Sequence, residues 1–301
     1  MQKGALACIV AAGFSWGTSG LFVHWLSPYG FQPLQMTAMR GLVSFVCMLI
    51  YVLFHNRQLL KAKPWDYLMF LGSGLTLFGT AAFYYLSMRA SSIATSVVLM
   101  YMAPVYIMLF SVAFLGEKLS GLKLFSVCCM LVGCCLVAGV IGGMTVNVEG
   151  VVFGVLAGVS YAAYNIFTKL EMRRGYSPVS ATLHNFLIMA IVGLCLSDPI
   201  SLVEHIGAQP AATLPLLVAM GIATCFMPYI LYTIAMKVLP AGTASALAIV
   251  EPMSATLFGL MIGESLTVFS AIGVVLILLA VLLLSRAEKA IRHHEVSVTV
   301  E

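Results

Sequence analysis

Residues 83–117, FYYLSMRASSIATSVVLMYMAPVYIMLFSVAFLGE, and residues 231–264, LYTIAMKVLPAGTASALAIVEPMSATLFGLMIGE, carry one pattern twice. A shift of 148 aligns Tyr84 with Tyr232, Arg89 with Lys237, Thr95 with Thr243, Pro104 with Pro252 and Phe110 with Phe258. The shift falls to 147 where Gly116-Glu117 meets Gly263-Glu264. Upstream, Gly4 corresponds to Gly150 and Pro33 to Pro178, so the identities are sparse but colinear. Each copy of the pattern is two apolar runs joined by a short break holding one basic residue. The chain therefore repeats at half its length.

Composition fixes the solvent in which such runs are stable. Of 301 residues, 61% are hydrophobic and 9% charged, whereas a soluble domain carries about 25% charged residues. A soluble fold of this size must cover its surface with polar groups and could not hide so much apolar side chain. Lipid can. The net charge of +4 is small and its basic residues lie in short connecting segments. That excludes the clustered basic face of a nucleic-acid partner. Cys8, Cys47, Cys128, Cys129, Cys134, Cys135, Cys195 and Cys225 all fall inside apolar runs, where cysteine behaves as a small hydrophobe. The adjacent pairs lack metal or redox spacing. The run after Lys3 continues to Leu26, longer than a signal-peptide core and without a clean cleavage site, so it reads as a first membrane span.

A span needs about 20 mostly apolar residues. Ten are expected, near 4–26, 34–54, 67–88, 93–115, 122–141, 150–170, 179–198, 212–235, 241–262 and 268–285. The fold class is all-α integral membrane. With the N-terminus in the cytoplasm, Lys3, Arg57, Lys61, Lys63, Lys118, Lys123, Lys169, Arg173, Arg174, Lys237, Arg286, Lys289 and Arg292 fall at cytoplasmic ends. Only Arg89 falls at an external end, which is the positive-inside pattern. Both termini are expected inside a plasma-membrane protein. Because five spans is an odd number, the second copy enters from the other side, as in inverted-repeat carriers. The expected units are 1–143, 144–285 and a cytoplasmic tail, 286–301.

At this point the chain resembles the EamA-type ten-helix carriers of the drug/metabolite transporter superfamily. The residues that carry the resemblance are Pro104…Gly116-Glu117-Lys118, Glu251-Pro252…Gly263-Glu264 and Ser15-Trp16-Gly17-Thr18. A Gly-Glu after an apolar run is by itself a common helix stop; the specificity comes from its recurrence at matching places. The resemblance implies a central cavity between spans 1–4 and 6–9, with spans 5 and 10 peripheral.

Polar residues inside a span are costly and face a cavity or another helix. Span 1 carries Ser15, Thr18, Ser19 and Phe22 on one face, and span 6 answers with Tyr161, Tyr164, Asn165 and Thr168. Span 3 carries Thr76, Thr80 and Tyr84; span 8 carries Thr224, Pro228 and Tyr232. For the serines and threonines the competing reading is close packing, or a bond to the preceding turn. Spans 5 and 10 are almost devoid of polar residues and read as scaffold. Candidate cavity residues are Trp16, Ser19, Arg40, Tyr84, Tyr101, Tyr161, Tyr164, Asn165, His184 and Tyr232. Arg40 lies within span 2 and keeps its charge; it either snorkels outward or binds an anionic group. His184 and Asn185 correspond to Met39 and Arg40 and point to the cytoplasmic mouth. Glu251 lies about 16 Å along span 9 at 1.5 Å per residue, a place for proton coupling or for a structural hydrogen bond. Pro104 and Pro252 each remove a helix hydrogen bond and can open the backbone.

The function expected is a secondary carrier, exporting small organic metabolites such as amino acids or amphipathic drugs by alternating access. Its partners are that substrate, the lipid bilayer and, through Glu251, protons; a homodimer is left open. No cofactor or metal is expected, since the chain holds no phosphate-binding Walker motif and no His-Glu-x-x-His. A membrane-embedded enzyme would need a nucleophile–base set, and Asp66 and Asp198 stand apart in connecting segments. A receptor or scaffold would need a larger loop or tail than 286–301 supplies.

Overall fold

The computed structural model describes residues 2–103, 105–106, 121–137, 147–236, 250–280 and 282–283. Among them all regular structure is helical. In chain order the elements are α1 (Gln2–Gly17), α2 (Ser19–Leu26), α3 (Pro33–His55), α4 (Tyr67–Ala90), α5 (Ile93–Met100), α6 (Gly121–Val137) and α7 (Val148–Arg173). Then come α8 (Pro178–Leu196), α9 (Pro199–Ala208), α10 (Pro210–Gly221), a π-helical turn (Ile222–Phe226), α11 (Met227–Met236) and α12 (Val250–Met261). The apolar helix Val268–Ala280 is α13.

The helix starts follow local chemistry. Proline opens α3, α8, α9 and α10, where its missing N–H costs nothing. The side chains of Ser92, Asn147, Ser177 and Asp198 accept bonds from first-turn amides of α5, α7, α8 and α9. Gly263, at φ +90°, ends α12, and Glu264 N–H then donates to Gly259 O at 3.0 Å. The Glu264 carboxylate folds back and accepts from Ile93 N at 2.7 Å. The Gly-Glu pair is therefore more than a stop: it clamps the end of α12 to the start of α5.

Among the described residues, six stretches are long and apolar enough to cross a membrane: Lys3–Tyr29, Pro33–His55, Pro64–Ala90, Val148–Arg173, Pro178–Leu196 and Pro210–Tyr232. They coincide with expected spans 1, 2, 3, 6, 7 and 8. Leu124–Gly133 and Val268–Ala280 are shorter apolar helices in spans 5 and 10, and α5 and α12 are the described parts of spans 4 and 9. Pro104, Gly116-Glu117 and the tail 286–301 lie outside the described residues. Two details go beyond the sequence reading. Span 1 is two helices, broken at Thr18. The connection 199–211 contains α9, whose Ile200 and Val203 are about 70% exposed; Asp198 nucleates a helix there that a Pro-rich sequence disguised.

The outer surface is apolar. Val10, Phe14, Ile50, Phe125, Ile191, Ile272 and Val275 are all exposed, as lipid contact requires and water forbids at this density. Inside, α4 lies along α7, α3 along α8, α1 against α11 and α12, and α5 against α7. Exchanging the halves converts the α1–α12 contact into the α5–α7 contact, and the α3–α10 contact into the α4–α8 contact. Glycines make the last pair close. A Cβ on Gly221 would lie 2.6 Å from Val43 Cβ, and one on Gly74 would lie 2.5 Å from Ile188 Cβ. Helices α6 and α13 pack on each other, Gly133 facing Ile277 and the Gly273 carbonyl.

The loops at one end also meet. Tyr176 Oη donates to Asp66 Oδ2 at 2.7 Å, Lys63 N–H donates to Tyr176 Oη at 3.0 Å, and Arg174 pairs with Asp66 at 3.3 Å. The segments before α4 and after α7 thus share one end of the bundle.

Candidate functional site

Where the helices are interrupted, they surround a cavity of about 70 Å³. The α1–α2 break at Thr18 is flanked by Trp16 and Ser19, both on the cavity wall. Helix α5 ends at Met100, another wall residue, and the chain turns at Tyr101 and Met102. The π-helical turn contributes Cys225, and α12 contributes Glu251. In a membrane, non-α backbone is tolerated only where it is buried in protein or lines a cavity, and π-turns gather at functional sites.

Among the described residues, one guanidinium and one carboxyl group line this cavity. Arg40 from α3 is 91% buried, 9% remaining exposed. It donates through Nη2 to Thr224 O at 2.7 Å, inside the π-turn, and through Nη1 to Tyr85 Oη at 3.2 Å. Its Cζ lies 5.8 Å from the centroid of the Tyr85 ring, close enough for cation–π attraction. Its Nε has no partner. Glu251 accepts a hydrogen bond from Tyr101 Oη at 2.7 Å. Next to it, buried Pro252 offers no amide hydrogen. Ser254 Oγ, one turn on, lies 2.9 Å from Glu251 O and 3.4 Å from Gly13 O, tying α12 to α1. Arg40 and Glu251 face one space but form no salt bridge with each other.

Aromatic rings supply the rest of the wall. Trp16 packs edge-on against Tyr229 at 5.5 Å and tilted against Tyr232 at 5.9 Å. Tyr84 from α4 and Tyr161 from α7 complete it. The cavity thus combines a fixed cation, a carboxyl group and flat apolar faces. These groups match in chemistry a molecule with a charged head and an apolar body, and at about 70 Å³ the space is smaller than such a molecule.

Of the residues expected here, Trp16, Ser19, Arg40, Tyr84, Tyr161 and Glu251 share the wall. Tyr101 reaches it through Glu251, and Tyr232 stands behind Trp16. Tyr164 is buried between α7 and neighbouring helices, bonded to Tyr229. Asn165 does not reach the cavity: it is exposed and its amide donates to Tyr161 O at 2.7 Å. His184 is also elsewhere, stacked on Phe70 at 4.6 Å with Nδ1 2.8 Å from Ser180 O. In both, one polar atom is taken by the preceding turn. Many hydroxyls do the same: Thr18, Ser19, Thr76, Thr80 and Thr224 all bond carbonyls three or four residues back.

Sequence reasoning missed Tyr229 and Glu171. A regular helix through Thr224 and Pro228 places Tyr229 off the stripe; the π-turn adds a residue and rotates it inward. Glu171 lies among Lys169, Arg173 and Arg174 and reads as an interfacial charge, yet it is wholly buried. Its partners are Ser73 and Asn185. The helical gap between Tyr164 and Glu171, two turns on one face, was the signal available.

Known proteins agree on what such a chain is. The model of the EamA-like transporter family matches residues 3–139 and again 148–286. An uncharacterized transporter of Archaeoglobus fulgidus is 29% identical over 278 residues, covering 92% of this chain and 94% of its own. The uncharacterized transporter YwfM of Bacillus subtilis (strain 168) is 27% identical over 283 residues, covering 93% of each. One solved crystal structure superposes with a TM-score of 0.63 at 19% identity, covering 97% of this chain and 99% of the other; it shares the fold. Its apolar helices and the family match over both halves make this chain a multi-pass membrane transporter, a member of the EamA-like transporter family within the drug/metabolite transporter superfamily.

Proposed function

We propose that the protein is a secondary exporter of small organic metabolites with a charged head and an apolar or aromatic body, amino acids or amphipathic drugs among them. The observation that carries this reading is the meeting of Arg40, Glu251 and the Trp16, Tyr84 and Tyr161 rings on one cavity wall. Arg40, on the cavity wall, supplies the positive charge that attracts a carboxylate. The rings take the apolar body, and Glu251 takes up and releases the coupled proton.

The reading includes ten spans in two inverted five-span repeats, 1–143 and 144–285, moving against each other around the cavity. What supports it is the exchange of contacts between halves and the contact of residues 61–66 with 174–176 at one end. Both termini are proposed to be cytoplasmic and the site plasma-membrane, from the distribution of Lys and Arg.

Flux into proteoliposomes across an imposed pH gradient tests the coupling. Transport should follow the gradient in the natural protein and lose that dependence in Glu251→Gln. Identical pH dependence in the two would remove Glu251 from the mechanism. Comparing metabolites inside and outside cells with and without the protein identifies the substrate.

A further inference from the structure

One helical turn from the cavity residue Leu77, Ser73 on α4 closes a ring of side chains with Glu171 on α7 and Asn185 on α8. Ser73 Oγ contacts Glu171 Oε1, and lies 2.5 Å from Asn185 Oδ1. Asn185 Nδ2 lies 3.3 Å from Glu171 Oε2. All three residues show no exposed surface, so water does not complete their bonding. The Phe70 carbonyl, 3.1 Å from Ser73 Oγ, is a further acceptor.

Counting protons decides the charge of this ring. It has three contacts and each needs one hydrogen. With Glu171 ionised, Ser73 supplies one hydrogen and the Asn185 amide one more, so one contact is left as two oxygens facing each other. Reversing the Asn185 amide, whose orientation is a matter of assignment, only moves the deficit to the Asn185–Glu171 contact. With a proton on Glu171 all three close in either orientation: the carboxyl donates to one neighbour, and the serine and amide donate in turn around the ring. A buried network with an unmade contact is costly. We infer that Glu171 is a proton-binding site, and that its proton closes the Glu171–Ser73–Asn185 ring and clamps α4, α7 and α8 together.

The other groups around Glu171 leave that proton in place. On its own helix the neighbour is Tyr164. From α8 comes His184, turned to Ser180 O. From the segments before α4 and after α7 come Asp66, Tyr176 and Arg174, which are engaged with one another. Among the described side chains no cation pairs with Glu171. The ring oxygens are in hydrogen-bond contact, so they leave no room for a metal cation between them. The inference needs neither a substrate nor a direction of transport.

Infrared spectroscopy of the full chain in an ester-free detergent tests it. Exposed carboxyls are ionised at neutral pH, so a protonated-carboxyl band there reports a buried group. The measurement uses a Glu251→Gln background, which removes the carboxyl on the cavity wall; Asp66 and Glu264 remain in every variant, so the Glu171 band is read as the difference between variants. The band is expected in Glu251→Gln and lost when Glu171→Gln is added. Gln can donate to Ser73 as the protonated acid does, so the double variant should keep its fold. If it does not, Ser73→Ala carries the test, since loss of one ring partner must shift the band. Absence of the band from Glu251→Gln, its survival in Glu171→Gln, or its failure to move in Ser73→Ala would overturn the inference. So would its disappearance on adding sodium or potassium chloride at constant pH, which would put an ion at the site.

Discussion

The hydroxyl of Tyr101 donates to Glu251 Oε2 at 2.7 Å, joining the turn after α5 to α12. It is a contact between the two sequence halves at the cavity wall, made by residues next to an interruption on one side and a proline on the other. A hydrogen bond to a charged group contributes about 1.5–3 kcal/mol. Tyr101→Phe and Glu251→Ala should each lower the unfolding midpoint in micelles. Because they break one bond, their effects should be non-additive in a double-mutant cycle, with a coupling of about 1–3 kcal/mol. Additive losses would mean that the pair does not act as a unit.

Arg40 makes two directional bonds, to Thr224 O and Tyr85 Oη, and its buried guanidinium shares the cavity wall. Lysine cannot reproduce that planar fork. Arg40→Lys should keep the protein in the membrane yet lose binding of carboxylate-bearing substrates by about tenfold or more, equal to about 1.4 kcal/mol. Equilibrium binding by detergent-solubilised protein checks this; undiminished affinity in Arg40→Lys would assign the arginine a structural role alone.

Gly74 and Gly221 hold corresponding helix crossings, against Ile188 and Val43. Overpacking such a contact costs about 1–3 kcal/mol. Gly74→Ala and Gly221→Ala should therefore be destabilising to similar extents, and Ile188→Ala and Val43→Ala should each restore part of the loss at its own crossing. Gly121→Ala, with no atom within 4 Å of the added carbon, serves as the control and should leave the melting temperature unchanged or slightly raised. Thermal unfolding decides among these.

Topology can be read with cysteines at Lys61 and Arg173, both exposed, in a background lacking the eight natural ones. An impermeant thiol reagent should reach both from the cytoplasmic side. A cysteine at Gly207, exposed near the end of α9, should react from the other side. Opposite reactivity of Lys61→Cys and Arg173→Cys would dismantle the inverted arrangement.

The class of the molecule and the course of spans 1, 2, 3, 6, 7 and 8 were legible because apolar length is a one-dimensional property. The cavity was legible in part, since Trp16, Arg40, Tyr84 and Tyr161 sit at helical spacings that survive in the fold. Asn165 shows the limit: periodicity gives the face on which a side chain starts, not the carbonyl to which it bends. Tyr229 shows another, because a single π-turn re-phases every residue after it. Glu171 was hidden by its basic neighbours, and only the approach of α4 and α8 reveals what it touches. The close approaches of Gly13 to Val250 and Gly17 to Ser254 were equally silent, since a glycine in an apolar run looks alike whether it meets a helix or lipid.

Helix α9 follows Asp198 as a short rod with greasy Ile200 and Val203 turned outward. Amphipathic surface helices of this kind lie at the boundary between headgroups and acyl chains. Seated there, α9 would act as an outrigger on one rim of the bundle, resisting any sinking of that rim.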